Sequence, residues 1–265
     1  RRDCVSNLSQ GCQGCRDGKP LPFDFTVAFH PIIDAGAHEV WGYEALVRGL
    51  QGQGAGHILS QVDDTTRYKF DQAARVKAIE LAGQIFPKDG TRLSINFMPN
   101  AVYEPVACIR ASLAAAARVR FAPERIMFEF TEDERMEDTA HIERIIAEYK
   151  RIGFLTAIDD FGSGYAGLNL LANFQPDMLK IDMDIIRNID TSPARQAIVA
   201  AIGHMARTLD ITIIAEGIES RAEFEMLRAA GIDLFQGFYF AKPGIETLPK
   251  VPFLAGPPLE KAAQA

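Results

Sequence analysis

The chain has 265 residues, 48% hydrophobic and 24% charged, with a formal net charge of −7. That is ordinary globular composition, enough for a sizeable core, and the acidic balance argues against a nucleic-acid polymer as partner, because backbone binding needs clustered Lys and Arg. No stretch reaches the roughly 18 apolar residues of a membrane span. Residues 1–20 are polar and read as a tail carrying Cys4, Cys12 and Cys15. Cys12 and Cys15 have the spacing of half a zinc knuckle. The three thiols are therefore candidate zinc ligands, with a redox or disulfide role and a reduced tail without function as the alternatives. No secretory signal is visible, which suits a cytoplasmic domain. The start at Arg1 leaves room for an upstream sensor or membrane-attached segment.

From Phe23 onward, short apolar runs alternate with longer helical patterns. The predicted strands are 23–33, 39–48, 93–98, 125–131, 155–159, 178–183, 212–216 and 234–240. Runs such as Phe154-Leu155-Thr156-Ala157-Ile158 are almost continuously apolar, as strands buried on both faces are. A helix is expected over about 66–86. Another carries Ile142, Ile145, Ile146 and Tyr149 on one face and stops at Gly153. Ser192-Pro193 reads as an N-cap and first turn, with Ile198, Ile202, Met205 and Leu209 along one side. Ser220 and Glu223 have capping-box spacing, with Phe224 and Leu227 facing inward. Eight strands alternating with helices predict an α/β fold, a modified (β/α)8 barrel of the TIM type. The first two strands are joined by a short Gly/Asp turn around Asp34-Ala35-Gly36. That is too short for a parallel crossover, so the first strand is expected to run antiparallel. The expected organisation is a tail over 1–20, one barrel over 21–248 and a Pro-rich tail over 249–265.

Polar side chains recur at the strand ends: Glu44, Asn96, Glu129 and Glu132, Asp159 and Asp160, Lys180 and Asp182, Glu216 and Glu219, and Gln236. In such a barrel they converge on one rim. So many acids at one mouth repel each other unless a cation joins them. An all-oxygen set without His or Cys suits Mg²⁺ or Mn²⁺ better than zinc. The adjacent Asp159 and Asp160 suit a bridge between two ions, the arrangement used for in-line attack on a phosphodiester. Arg48 is placed to clamp a phosphate. Lys180 is placed to orient or deprotonate the attacking water, or else forms a structural salt bridge. The glycine-rich segment 160–168 is either a tight turn or a mobile lid. Its Asp-Phe-Gly lacks the glycine loop and catalytic-loop signature of a kinase.

These residues resemble the EAL-domain family of bacterial cyclic-di-GMP phosphodiesterases. The resemblance spans about 23–243 and rests on Glu44-Ala45-Leu46-Val47-Arg48, Asn96, Glu129-Phe130-Thr131-Glu132, Asp159 to Tyr165, Lys180-Ile181-Asp182, Ala215 to Glu219 and Gln236-Gly237-Phe238. It implies a barrel with its first strand reversed, and hydrolysis of cyclic-di-GMP to linear 5'-pGpG with Mg²⁺ or Mn²⁺. By that resemblance Glu44, Asn96, Glu129 and Asp159 would hold one metal, and Asp159, Asp160 and Glu216 a second. Lys180 would act on the water with Gln236 assisting, and Arg48 and Leu46 would contact substrate. Glu132 would anchor the loop at 160–168, through which the family forms homodimers. A non-catalytic cyclic-di-GMP receptor is the alternative. Two departures stand out: His30 precedes Pro31-Ile32 where the family usually has Gln, and the loop ends Tyr165-Ala166-Gly167-Leu168 rather than in paired serines.

Overall fold

The structure, a computed structural model, describes residues 20–102, 104–131, 139–164 and 167–255. Cys4, Cys12, Cys15, Glu132, Tyr165 and Ala166 lie outside the described residues. The strands are β1 (Thr26–Asp34), β2 (Glu39–Arg48), β3 (Arg92–Asn96), β4 (Ile126–Thr131), β5 (Leu155–Phe161), β6 (Met178–Ile181), β7 (Thr212–Ala215), β8 (Leu234–Gln236) and a short β9 (Gly244–Ile245). The helices are α1 (Ala55–Leu59), α2 (Arg67–Ile85), α3 (Pro105–Cys108), α4 (Arg110–Val119), α5 (Thr139–Ile152), α6 (Gly167–Asn173), α7 (Met183–Ile186), α8 (Pro193–Thr208) and α9 (Arg221–Ala229).

Strands β2 to β8 pair in parallel in chain order. β1 closes the ring by pairing antiparallel with both β2 and β8. This is the reversed first strand that the short turn, four residues from Ala35 to His38, requires. The sheet is thus a closed α/β barrel of the TIM type, and the short β9 pairs antiparallel with β1 at Ala28 and Phe29.

The barrel interior is filled in layers, and strand periodicity explains how. Ile32, Met127, Ala157, Met178, Ile214 and Leu234 form one apolar cluster from six strands. Two residues further along each parallel strand, the same face carries Glu129, Asp159, Lys180, Glu216 and Gln236. β1 runs the other way, so its matching residue, His30, comes two before Ile32. An apolar floor therefore supports a polar layer at the mouth. The larger cluster, with Phe29, Phe86, Phe128, Tyr149, Phe154 and Phe224, packs the outer strand faces against the helices.

Several local expectations change. β8 stops at Gln236 rather than 240. There Gly237 lies against the neighbouring loop so closely that a Cβ would sit 2.2 Å from the Ile218 carbonyl oxygen. The inward stripe of α8 is Val199, Ile202, Gly203 and Ala206, and Ile198 is exposed, so the apolar face is rotated by about one residue. β6 ends at Ile181, and Asp182 caps α7 by accepting from the Asp184 N–H. The capping box at Ser220 and Glu223 forms as the spacing predicts. Among the described residues no helix is long and apolar enough to cross a membrane.

Candidate active site

Glu44 sits in the middle of β2 rather than at its end, because the strand continues to Arg48. Its carboxylate faces the barrel axis with those of Glu129, from β4, and Asp159, from β5. These three offer oxygens all within 4.8 Å of one another. Asp159, Asp160 and Glu216 form a second such group. Asp159 belongs to both. Asp160 reaches its place because β5 bulges between Ile158 and Phe161 and because Asp160 takes a left-handed backbone, φ 52°. That conformation is uncommon for a residue with a side chain. Here it turns two successive carboxylates toward one mouth instead of opposite faces of the sheet. Its N–H donates to Asp159 Oδ1 at 3.0 Å.

Lys180 Nζ lies at the centre of the acids, 2.7 Å from Glu216, 2.9 Å from Asp159, 3.1 Å from Glu129 and 3.8 Å from Glu44. Burial disfavours its charge, yet Asp159, Glu129, Glu216 and Glu44 together outweigh that and hold it well above the usual lysine pKa. In this arrangement Lys180 is a cation that orients its neighbours, and the surrounding acids oppose its action as a base. One ammonium does not balance five carboxylates. Burial raises Glu129 and Glu216 well above the ordinary carboxylate range, only partly offset by Lys180. Burial and the adjacent Asp159 push Asp160 up to about 6. Glu44 moves the other way: burial opposes its charge, but Lys180 and the amide of Gln236 keep it ionised.

Neutral groups complete the frame. Ser94 Oγ donates to Glu129 at 2.6 Å. Asn96 Nδ2 donates to Glu44 at 2.9 Å and to Glu129 at 3.1 Å. To ligate a metal through its oxygen, as the resemblance implies, the Asn96 amide would have to turn over. Gln236 Nε2 donates to Glu44 at 2.7 Å. On β3, Ser94 shares a face with Asn96, two residues apart, and that spacing was the available signal for a residue sequence reasoning passed over. A second overlooked pair lies on α2. Asp71 and Arg75 form a buried ion pair at 2.6 Å, and Asp71 accepts the Met98 N–H at 2.9 Å, fixing the chain just beyond Asn96. Its signal was an Asp and an Arg at helical i,i+4 spacing.

A cavity of about 690 Å³ opens beside the acids, lined by Glu44, Leu46, Asn96, Asp159 and Asp160 on one side and by Arg67, Phe70 and Met98 on the other. Leu46 thus lies on its wall. Arg48 Nη1 donates to the Val47 carbonyl at 2.8 Å. Glu219, outside the acid group, pairs with Arg187 at 2.9 Å. Chemically the layer offers clustered hard oxygen donors, one fixed cation and a cleft large enough for a small organic anion.

The EAL domain family profile matches residues 23–243, and the chain belongs to that family. Among solved structures it is similar to a standalone versatile EAL protein from Vibrio cholerae O395 in its c-di-GMP bound form, at 54% identity and TM-score 0.86, over 90% of this chain and all of that one. It is also similar to Klebsiella pneumoniae BlrP1 in a manganese/cy-diGMP complex, at 33% identity and TM-score 0.79, over 87% of this chain and 57% of that one. The cyclic di-GMP phosphodiesterase PdeF of Escherichia coli is 33% identical over 162 residues, 60% of this chain and 22% of that protein. The chain spans about half the length or less of the curated relatives it matches, 55% in the case of the E. coli antirepressor BluF.

Proposed function

We propose that this chain is a phosphodiesterase that hydrolyses cyclic-di-GMP to linear 5'-pGpG with two divalent cations, Mg²⁺ or Mn²⁺. The observation that carries the reading is Asp159, shared by two carboxylate groups whose oxygens lie within 4.8 Å. The donors fit the ions: oxygen-only, largely anionic and too many to be neutralised by Lys180. Glu44, Glu129 and Asp159, with Asn96 after its amide turns, would hold one ion, and Asp159, Asp160 and Glu216 the other. Bound there, such ions would acidify water and neutralise charge on the scissile phosphate. Lys180 orients the attacking water, and Gln236 hydrogen-bonds beside it. Arg48 binds a substrate phosphate, and Leu46 forms part of the wall. Glu132 anchors the loop at 160–168, and two copies pair through that loop in a cytoplasmic homodimer. The ligand and activity named for the similar proteins support this reading. The barrel over 21–248, an upstream sensor and a zinc site at Cys4, Cys12 and Cys15 are separate proposals; replacing the three cysteines with Ser should lower bound zinc, and unchanged metal content would remove the zinc site.

The test is turnover of cyclic-di-GMP by chelator-stripped protein, with and without added Mg²⁺ or Mn²⁺. Linear product only in the presence of metal is expected. Tight binding with no product under either ion would instead favour the receptor.

The raised carboxylates give this reading a pH signature. Protonated Glu129, Glu216 and Asp160 must ionise before they can accept a cation, so affinity rises with pH and falls in acid. Asp160 alone, at about 6, should weaken Mn²⁺ binding about tenfold between pH 8 and pH 5. Calorimetry in buffers of different ionisation heat should show proton release on binding. An affinity unchanged across that range would contradict the assignment.

A further inference from the structure

At the edge of the polar layer a chain of hydrogen bonds admits one assignment of protons. His30 Nε2 lies 3.0 Å from the Ala241 carbonyl oxygen, which can only accept, so Nε2 carries the proton. In neutral imidazole Nδ1 is then an acceptor. Gln236 Nε2 lies 2.8 Å from that Nδ1 and 2.7 Å from Glu44 Oε2, and each amide hydrogen meets one of them. Turning the amide over would set its oxygen against a carboxylate and a ring lone pair at once. The consequence falls on Gln236 Oε1, which is buried and has no hydrogen-bond partner among the described residues. A buried acceptor without a donor is costly, and such a group in a site asks for a partner that arrives with the reactants.

We propose that His30 is a positioning residue: it fixes the amide of Gln236 so that Oε1 stands as the acceptor for a proton of the attacking water. This rests on the hydrolase reading above. His30 is 8% exposed and belongs to β1, the reversed strand, so it approaches Gln236 from across the β1–β8 pairing rather than along it.

Two substitutions separate orientation from packing. His30→Phe keeps a ring but supplies no acceptor. His30→Asn loses ring volume but puts an amide oxygen where Nδ1 stood. On the purified protein with Mn²⁺ and cyclic-di-GMP, His30→Phe should lower kcat about tenfold, the loss of one oriented hydrogen bond, with KM within about twofold. His30→Asn should recover kcat to within about threefold of the parent. Parental kcat in His30→Phe, or equal losses in both variants, would overturn the inference. A second readout does not need activity. Nitrogen-15 shifts of the His30 ring, identified by their absence from His30→Phe, should report a neutral ring protonated at Nε2. A proton on Nδ1 would overturn the inference even in a protein that hydrolyses nothing. A parent with no turnover and an Nε2-protonated ring would instead point to failure of the hydrolase reading.

Discussion

Replacing Asp159 with Ala should abolish hydrolysis of cyclic-di-GMP, with a fall of at least about 10³ in kcat/KM. No other carboxylate is shared by both groups of acids, so this one substitution dismantles both ion positions. It also removes an oxygen 2.9 Å from Lys180 and the acceptor of the Asp160 N–H, which loosens the bulge that presents Asp160. Glu44→Ala should be nearly as damaging in turnover. Its loss also frees Asn96 and Gln236, which both donate to it. The check is steady-state turnover with saturating Mn²⁺, alongside a thermal melt to show that each variant is folded. Folded variants that turn over at near-parental rates would mean that the acids serve packing alone.

Replacing Lys180 with Met carries the second large effect, and it acts on stability and chemistry together. Lys180 is 1% exposed and stands within 4.0 Å of four carboxylates. Removing one partner of a buried ionic cluster costs about 3–5 kcal/mol, because the remaining charges lose compensation while still buried. The metal-free variant should therefore melt well below the parent. Divalent ions bound among the same acids would replace the missing charge, so added Mn²⁺ should raise the melting temperature of the variant more than that of the parent. Turnover should nonetheless stay depressed by about 10²–10⁴, the usual range for a group acting on a transferred proton or on water. Equal responses of the two proteins to Mn²⁺ would show that Lys180 and the ions do not share one electrostatic role.

Much of this site was legible before any coordinates. The acids stood out because each interrupts an apolar strand, where an uncompensated charge is costly. The reversed first strand followed from the length of a single turn. What the sequence concealed was placement within each element. Glu44 appeared to close its strand but lies in mid-strand, since Leu46 to Arg48 continue the pairing with β1. The bulge at Asp159 and Asp160 left no local mark, because a left-handed aspartate is chosen by its surroundings rather than by its neighbours in the chain. The face of α8 was misplaced by about one residue. Ile198 looked like core, whereas Val199, Ile202, Gly203 and Ala206 are the buried residues of that helix. Ser94, Asp71 and Arg75 escaped notice for another reason. Ser94 and Asp71 act on partners 35 and 27 residues away, brought near by the pairing of β3 with β4 and the packing of α2 beside β3, which no short motif encodes, and Arg75 matters through Asp71.

The central claim is that two cations share Asp159 at the barrel mouth. Anomalous diffraction from crystals soaked in Mn²⁺ tests it most directly. Two peaks are expected, one among Glu44, Glu129 and Asp159 and one among Asp159, Asp160 and Glu216. Strong Mn²⁺ peaks elsewhere in the molecule, with none between these carboxylates, would contradict it.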